Sequence, residues 1–261
     1  MMTRNLLLSV TLVAASQTAG TLPPVEVLDL GGGVTMDMVF VPAGPFRMGS
    51  PDSETRTDEH VGKEPLHKVT LTRPFYMTKY EVTQAQFQAL TGTNPSAVRG
   101  DNLPATNITW EEALALAKRA SGLLKRDIRV PSDAEWEYAA RGGTETTVYT
   151  GNDQAAVWAA GWCGGNADGR VHAVGEKAPN AFGLHDMIGN VREWTRDLYG
   201  PYDAKDAIDP AGPAAGDSRI SRGGAFTGRL LVCRAAIRNV EPTTKSSPII
   251  GLRLAMYGGS K

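Results

Sequence analysis

Cysteine is nearly absent from this 261-residue chain, which contains only Cys163 and Cys233. That scarcity excludes a disulfide-rich scaffold. An excess of one charge is also missing: 27 Lys+Arg stand against 28 Asp+Glu, a formal net charge of −1. A general nucleic-acid binder driven by bulk charge is therefore excluded, because phosphate contact needs a basic surplus. No apolar run of membrane-spanning length follows residue 20, and there is no repeat or low-complexity tract. What remains is ordinary for a globular chain, with 41% hydrophobic and 21% charged residues. Glycine (29) and proline (16) are plentiful, which predicts many turns and short regular elements.

Residues 1–20 have the order of a secretory signal. Arg4 supplies a positive start, Leu6 to Ala15 an apolar run, and Ala19-Gly20 a small-residue end. Export to the periplasm, the medium or the cell surface is expected, with cleavage near Ala19 and no transmembrane span afterwards. A buried N-terminal helix or a retained anchor is the competing reading. Outside the cytoplasm Cys163 and Cys233 are free to pair, although spacing alone does not bring their Cα atoms together. Residues 21–35 read as a linker or an early hairpin, broken by Gly31-Gly32-Gly33, and the domain is expected over 36–258.

Short strands are predicted at Met38–Pro42, Phe46–Met48 and Val69–Thr72, with a polar exposed loop at 51–64. Three helices carry start signals. Thr83 precedes a stretch closed by Gly92. Thr109 with Glu112, and Ser132 with Glu135, have capping-box spacing. The second helix is expected to bury Ala113, Leu116, Ala117 and Ala120 and to end at Gly122; the third is expected to end at Gly142. No strong helix is read after residue 143. The imbalance predicts an α+β domain with an irregular second half.

Several long motifs then converge. Met38-Val39-Phe40-Val41-Pro42-Ala43-Gly44, Tyr80-Glu81-Val82-Thr83, the run Arg129 to Arg141, the run Asn180 to Trp194, Arg222-Gly223-Gly224 and Gly251-Leu252-Arg253-Leu254 stand in one order. Together they resemble the formylglycine-generating enzyme (sulfatase-modifying factor) superfamily over roughly residues 36–256. The resemblance implies a C-type-lectin-like α+β fold with little regular secondary structure. It does not imply one activity, because sites rather than folds decide chemistry. The arginines Arg141, Arg222, Arg238 and Arg253 are expected to pair with Glu81, Glu135, Glu137 and Glu193, and anion capture is the alternative.

The residues and the resemblance bear on four functional readings. The founding enzymes bind copper through two cysteines five apart, shortly after Arg-Gly-Gly. Here Ala225 to Cys233 carries a single cysteine, so copper-thiolate oxidation is not expected. Related sulfoxide synthases add iron-binding histidines on a helical domain. His60, His67, His172 and His185 have no such spacing. The loop Asp186–Glu193 matches the family's calcium motif, which implies side-chain oxygens from Asp186 and Glu193 and carbonyls from Gly189 and Val191. A metal-free turn with Glu193 paired to an arginine is the competing reading. Finally, Phe226, Thr227, Arg229, Leu230, Leu231, Val240, Glu241, Thr243 and Thr244 lie where retroelement-linked variable proteins of the superfamily carry their diversified positions. They are candidate contacts for an unidentified protein or small-molecule ligand, and internal packing is the alternative. The expectation is therefore an exported non-catalytic binding or accessory domain. The runner-up is a formylglycine-type oxidase or another maturation enzyme.

Overall fold

A computed structural model describes residues 24–51, 54, 64–202 and 204–258. The signal-like segment, His60 and most of the 51–64 loop lie outside the described residues. In chain order the strands are β1 Val25–Asp29, β2 Thr35–Val41, β3 Gly44–Met48, β4 His67–Leu71 and β5 Phe75–Thr78. Helices α1 Gln84–Thr91 and α2 Trp110–Leu124 follow, then β6 Ile128–Arg129, α3 Asp133–Arg141, α4 Gln154–Ala160 and β7 Gly161–Trp162. The second half holds β8 Ile188–Gly189, β9 Arg192–Leu198, β10 Ala207–Ile208, β11 Ser218–Arg222, β12 Asn239–Pro242, β13 Ile250–Leu252 and β14 Ala255–Tyr257.

Helix starts follow local chemistry. Thr83, Thr109 and Ser132 each accept the N3 amide and receive the N3 side chain in return, forming three complete capping boxes. Gly92 and Gly142 close α1 and α3 in the left-handed conformation. Ala113, Leu116, Ala117 and Ala120 form the buried stripe of α2. That helix does not stop at Gly122. It runs on to Leu124, and Lys125 takes the left-handed cap at φ 53°. A glycine inside a helix costs only about 1 kcal/mol, which packing of the stripe offsets.

Two further expectations change. The described part of 21–35 is no linker: β1 pairs antiparallel with β2, Val25 opposite Val39 and Asp29 opposite Thr35, so the hairpin reading is the one formed. A helix does occur after residue 143. Helix α4 starts at Asp153, whose side chain accepts the Ala156 amide. At seven residues it is short enough for neighbouring packing, rather than a sequence pattern, to decide it.

A five-stranded sheet runs β1-β2-β5-β14-β6, and a four-stranded sheet runs β12-β11-β9-β13. Strands β2 and β3, adjacent in sequence, do not pair: β3 joins β4 and β10 in a separate sheet. One core cluster gathers around Phe75, Trp136 and Met187, a second around Leu116, Trp194 and Met256. Trp136 and Trp194 are fully buried, and each finds a partner for its indole N–H: Glu193 at 2.6 Å and the Ile108 carbonyl at 2.9 Å.

Candidate functional site

The site region is built on ion pairs, as short irregular elements require. Arg222 is wholly buried and donates to Asp133 and to Glu137 (2.8 Å). Arg141 pairs with Glu137 at 2.7 Å, Arg238 with Asp133 at 3.0 Å, and Arg253 with Glu193 at 2.9 Å. Glu135 takes Arg129 at 2.6 Å. The guanidiniums of Arg222 and Arg238 hold the Asp133 carboxyl below its ordinary range despite burial, which pushes it up. The arginines thus serve internal pairing. Glu81 alone of the expected partners takes no arginine: it accepts from the Asn190 side chain (2.8 Å) and the Val191 amide (3.0 Å).

The loop after β11 is shaped at Gly224, which has φ +77°; a Cβ there would stand 2.9 Å from the Cys233 sulfur. Phe226 donates its amide to the Asn190 carbonyl at 2.8 Å, and Gly228 accepts from the Gly164 amide at 2.9 Å. Residues Leu230–Val232 form a single 3₁₀ turn leading to Cys233. Cys233 forms a disulfide with Cys163, across a Cα separation of 6.7 Å. Neither cysteine of the chain is left as a thiol.

Beside this turn lies a cavity of about 390 Å³. Leu230 and Leu231 contribute apolar surface, and Glu54, Glu145 and Asp153 contribute carboxylates. Arg234 also lines it, but its charge is given to Glu54 (2.6 Å) and Glu64 (3.2 Å). Burial raises the Glu64 carboxyl above its usual range, against the lowering pull of Arg234. With Glu54 and Glu64 balanced in part by Arg234, Glu145 and Asp153 leave the described lining residues acidic.

The nine candidate ligand contacts divide. Thr227, Arg229, Val240 and Thr244 are exposed, and Phe226, Leu230, Leu231 and Thr243 are half-buried. Glu241 is corrected: it is buried and paired with Arg192 at 2.9 Å, so it serves the sheet edge and not a surface. Leu230 and Leu231 meet at the acidic cavity. Val240 sits on β12 opposite Ile220, and the Thr243 carbonyl accepts the Trp110 amide at the start of α2. The acids Glu54, Glu145 and Asp153 carried no motif; only proximity in space marks them.

The expected calcium donors are placed as follows. Asp186 Oδ2 accepts the Gly175 amide (2.6 Å), while its buried Oδ1 has no donor among the described residues. Gly189 has φ +77°, and a Cβ there would stand 2.2 Å from the Trp162 carbonyl, so only glycine fits. Val191 has its amide on Glu81. Glu193 spends both oxygens on Arg253 and on Trp136. The donor set fits a hard cation at Asp186 alone, and among the described residues no three Asp, Glu, His or Cys groups converge as a metal site. Burial, then the neighbouring charges of Asp186 and Glu193, push the Glu81 carboxyl well up. His172 is enclosed by the Ala167 carbonyl (3.0 Å), Glu176 and a stacked Trp162, and His185 meets the Lys177 carbonyl at 2.8 Å.

Comparison with known proteins agrees with this architecture. Residues 32–257 match the model of the sulfatase-modifying factor enzyme 1-like domain. The formylglycine-generating enzyme of Mus musculus is 26% identical over 84% of this chain and 74% of its own length. That of Streptomyces coelicolor is 28% identical over 85% and 89%. Among solved structures, Treponema denticola variable protein 1 superposes with a TM-score of 0.82 at 25% identity, covering 90% of this chain and all of its own. PvdO from Pseudomonas aeruginosa follows at 0.75 and 26%, covering 91% of this chain and all of its own. With its α+β elements arranged as in these C-type-lectin-like structures, the chain belongs to the family of sulfatase-modifying factor enzyme 1-like domains.

Proposed function

We propose that this protein is an exported, non-catalytic binding or accessory domain that takes its ligand at the loop following Gly224 and the adjoining acidic cavity. The disulfide carries the reading: it ties Cys233 to Cys163 and leaves no thiolate in the chain, whereas a soft-metal oxidase needs thiolate ligands. A disulfide also suits an oxidising compartment, in keeping with the signal-like residues 1–20. The ligand-facing groups are Thr227, Arg229, Leu230 and Leu231, with Glu145 and Asp153 offering negative charge. An apolar floor beside acids suits a partner segment carrying both basic and apolar side chains.

The enzymatic reading is favoured by one observation, the similarity to formylglycine-generating enzymes over most of both chains. The two readings separate in one experiment. The oxidised and the reduced protein are titrated anaerobically with Cu(I) and assayed for aldehyde on a cysteine-containing sulfatase peptide. We expect no turnover in either form; turnover that depends on Cys233 overturns the binding reading. In parallel, Leu231→Ser is expected to weaken capture of the native partner while leaving the melting temperature nearly unchanged. Leu230 packs partly against the core, so Leu230→Ser lowers the melting temperature as well.

A further inference from the structure

A second cavity, of about 520 Å³, opens between α3, β9 and residues 200–202 and 205–213, remote in sequence from the loop after Gly224. Met48, Ala134, Pro201 and Pro213 give it apolar walls. Its polar atoms fall into two groups. The donors are ion-paired or hydrogen-bonded, save that the Arg238 Nε–H, 3.0 Å from Asp133, makes an ion pair without an aligned hydrogen bond. Arg238 is paired with Asp133 and gives Nη1 to the Gly200 carbonyl at 2.9 Å. The Tyr202 hydroxyl donates to Glu137 (3.4 Å) and accepts from Arg222 (3.0 Å). Lys205, at the exposed mouth, has its own partner.

Two acceptors are not used. His67 is only 7% exposed, and its Nδ1 lies 2.9 Å from the Pro65 carbonyl. Since a carbonyl only accepts, Nδ1 carries the hydrogen, and neutral His67 presents a bare lone pair at Nε2. Asp197 is 3% exposed. Its Oδ2 accepts the Asp133 amide at 2.7 Å, and no described residue donates to Oδ1. Both residues line the cavity, so a ligand that donates can be taken by these two acceptors in place of solvent.

We propose that this cavity binds a small organic cation, an ammonium on a short apolar chain, whose N–H groups are taken by Asp197 Oδ1 and His67 Nε2. A carboxylate ligand meets the like charges of Asp197 and Asp206 on the cavity wall. Neutral alcohols satisfy one acceptor but leave the charge of Asp197 uncountered.

Burial, and then the negative charge of Asp133, hold the Asp197 carboxyl at about 6. Glu135 acts in the same direction and Arg196 against it, while Arg219 on β11, Asp206, Lys205 and Arg238 complete the charged groups around it. Cation binding therefore tightens about tenfold from pH 5 to pH 7 as Asp197 ionises.

The test uses the full chain and three probes of one size: butylammonium, butanol and butyrate. Saturation-transfer NMR and calorimetry are run on the wild type, Asp197→Asn and Ala211→Trp, with melting curves to verify folding. Ala211 is exposed where it lines the cavity, so the indole of Ala211→Trp is placed to obstruct the entrance, and this variant keeps the test decisive should Asp197→Asn fail to fold. We expect butylammonium alone to bind, with the stated pH dependence, and each variant to weaken it at least about tenfold. Absence of binding to the wild type, equal binding of butyrate or butanol, a flat pH profile, or wild-type affinity in the folded variants overturns the proposal.

Discussion

Cys163 and Cys233 are 70 residues apart in the chain and are joined by a disulfide that anchors the 3₁₀ turn of the candidate loop to the segment after β7. A cross-link closing a loop of that length removes denatured-state entropy worth about 4 kcal/mol in the chain-entropy account. We expect reduction, or Cys163→Ser with Cys233→Ser, to lower stability by roughly that amount in urea titrations. A change under about 1 kcal/mol shows that the bond contributes little beyond the surrounding packing.

Arg222 is the charge on which α3 and β11 meet. It is fully buried and balances both Asp133 and Glu137. Removing it strands two carboxylates in the interior, so Arg222→Ala is expected to cost about 3–5 kcal/mol. Lysine restores the charge without the two-pronged geometry and is expected to recover only part of the loss. Full stability of Arg222→Ala at neutral pH refutes this role.

Asp197 makes stability depend on pH. Its folded-state carboxyl sits at about 6, above the ordinary 3.8 it regains on unfolding. The folded form therefore holds a proton that the unfolded form releases. This contribution is complete below about pH 4 and is lost as pH rises through 6. Asparagine keeps a carbonyl oxygen for the Asp133 amide and cannot ionise. The melting temperature of Asp197→Asn relative to wild type is expected to rise between pH 4 and 7, by about 5 °C for a difference of the order of 2 kcal/mol. A constant difference across that range contradicts the assignment.

Calcium at the loop Asp186–Glu193 rests on a single uncommitted oxygen, Asp186 Oδ1, in a region where Glu81, Asp186 and Glu193 face one guanidinium, Arg253. A divalent ion would neutralise that surplus. Since Glu193 is spent on Arg253 and Trp136, chelated protein is expected to gain far less on adding Ca²⁺ than the roughly 2.7 kcal/mol that a hundredfold excess over Kd gives a formed site, and a gain of that size lost in Asp186→Asn would instead assign the ion. Identical melting curves with and without Ca²⁺ leave the loop a metal-free turn closed by Glu193 and Arg253.

The correspondence between sequence and structure follows the range of the forces involved. Thr83, Thr109 and Ser132 were legible as helix starts because a capping box is complete within four residues. The pairing of arginines with acids was legible as a class, since buried guanidiniums demand carboxylates. The particular partners were not: Glu81 binds amides, and Arg222 and Arg238 share Asp133, which the family motif did not single out. Glu241 looked like a surface residue because its partner Arg192 lies 49 positions away. Helix α4 escaped for the same reason, being short and stabilised by what packs on it.

Local chemistry, then, was written in the chain: capped helices, tight glycine turns, family membership and the shortage of sulfur. Those properties depend on neighbours a few residues apart and survive translation into a linear pattern. Tertiary structure alone decided where the acids of each cavity converge, that the two cysteines meet, and that His67 and Asp197 share one chamber with their acceptors unmet. Such meetings arise when distant segments pack to bury Trp136, Trp194 and the arginines between them, and no spacing along the chain encodes which unsatisfied atoms that packing leaves behind.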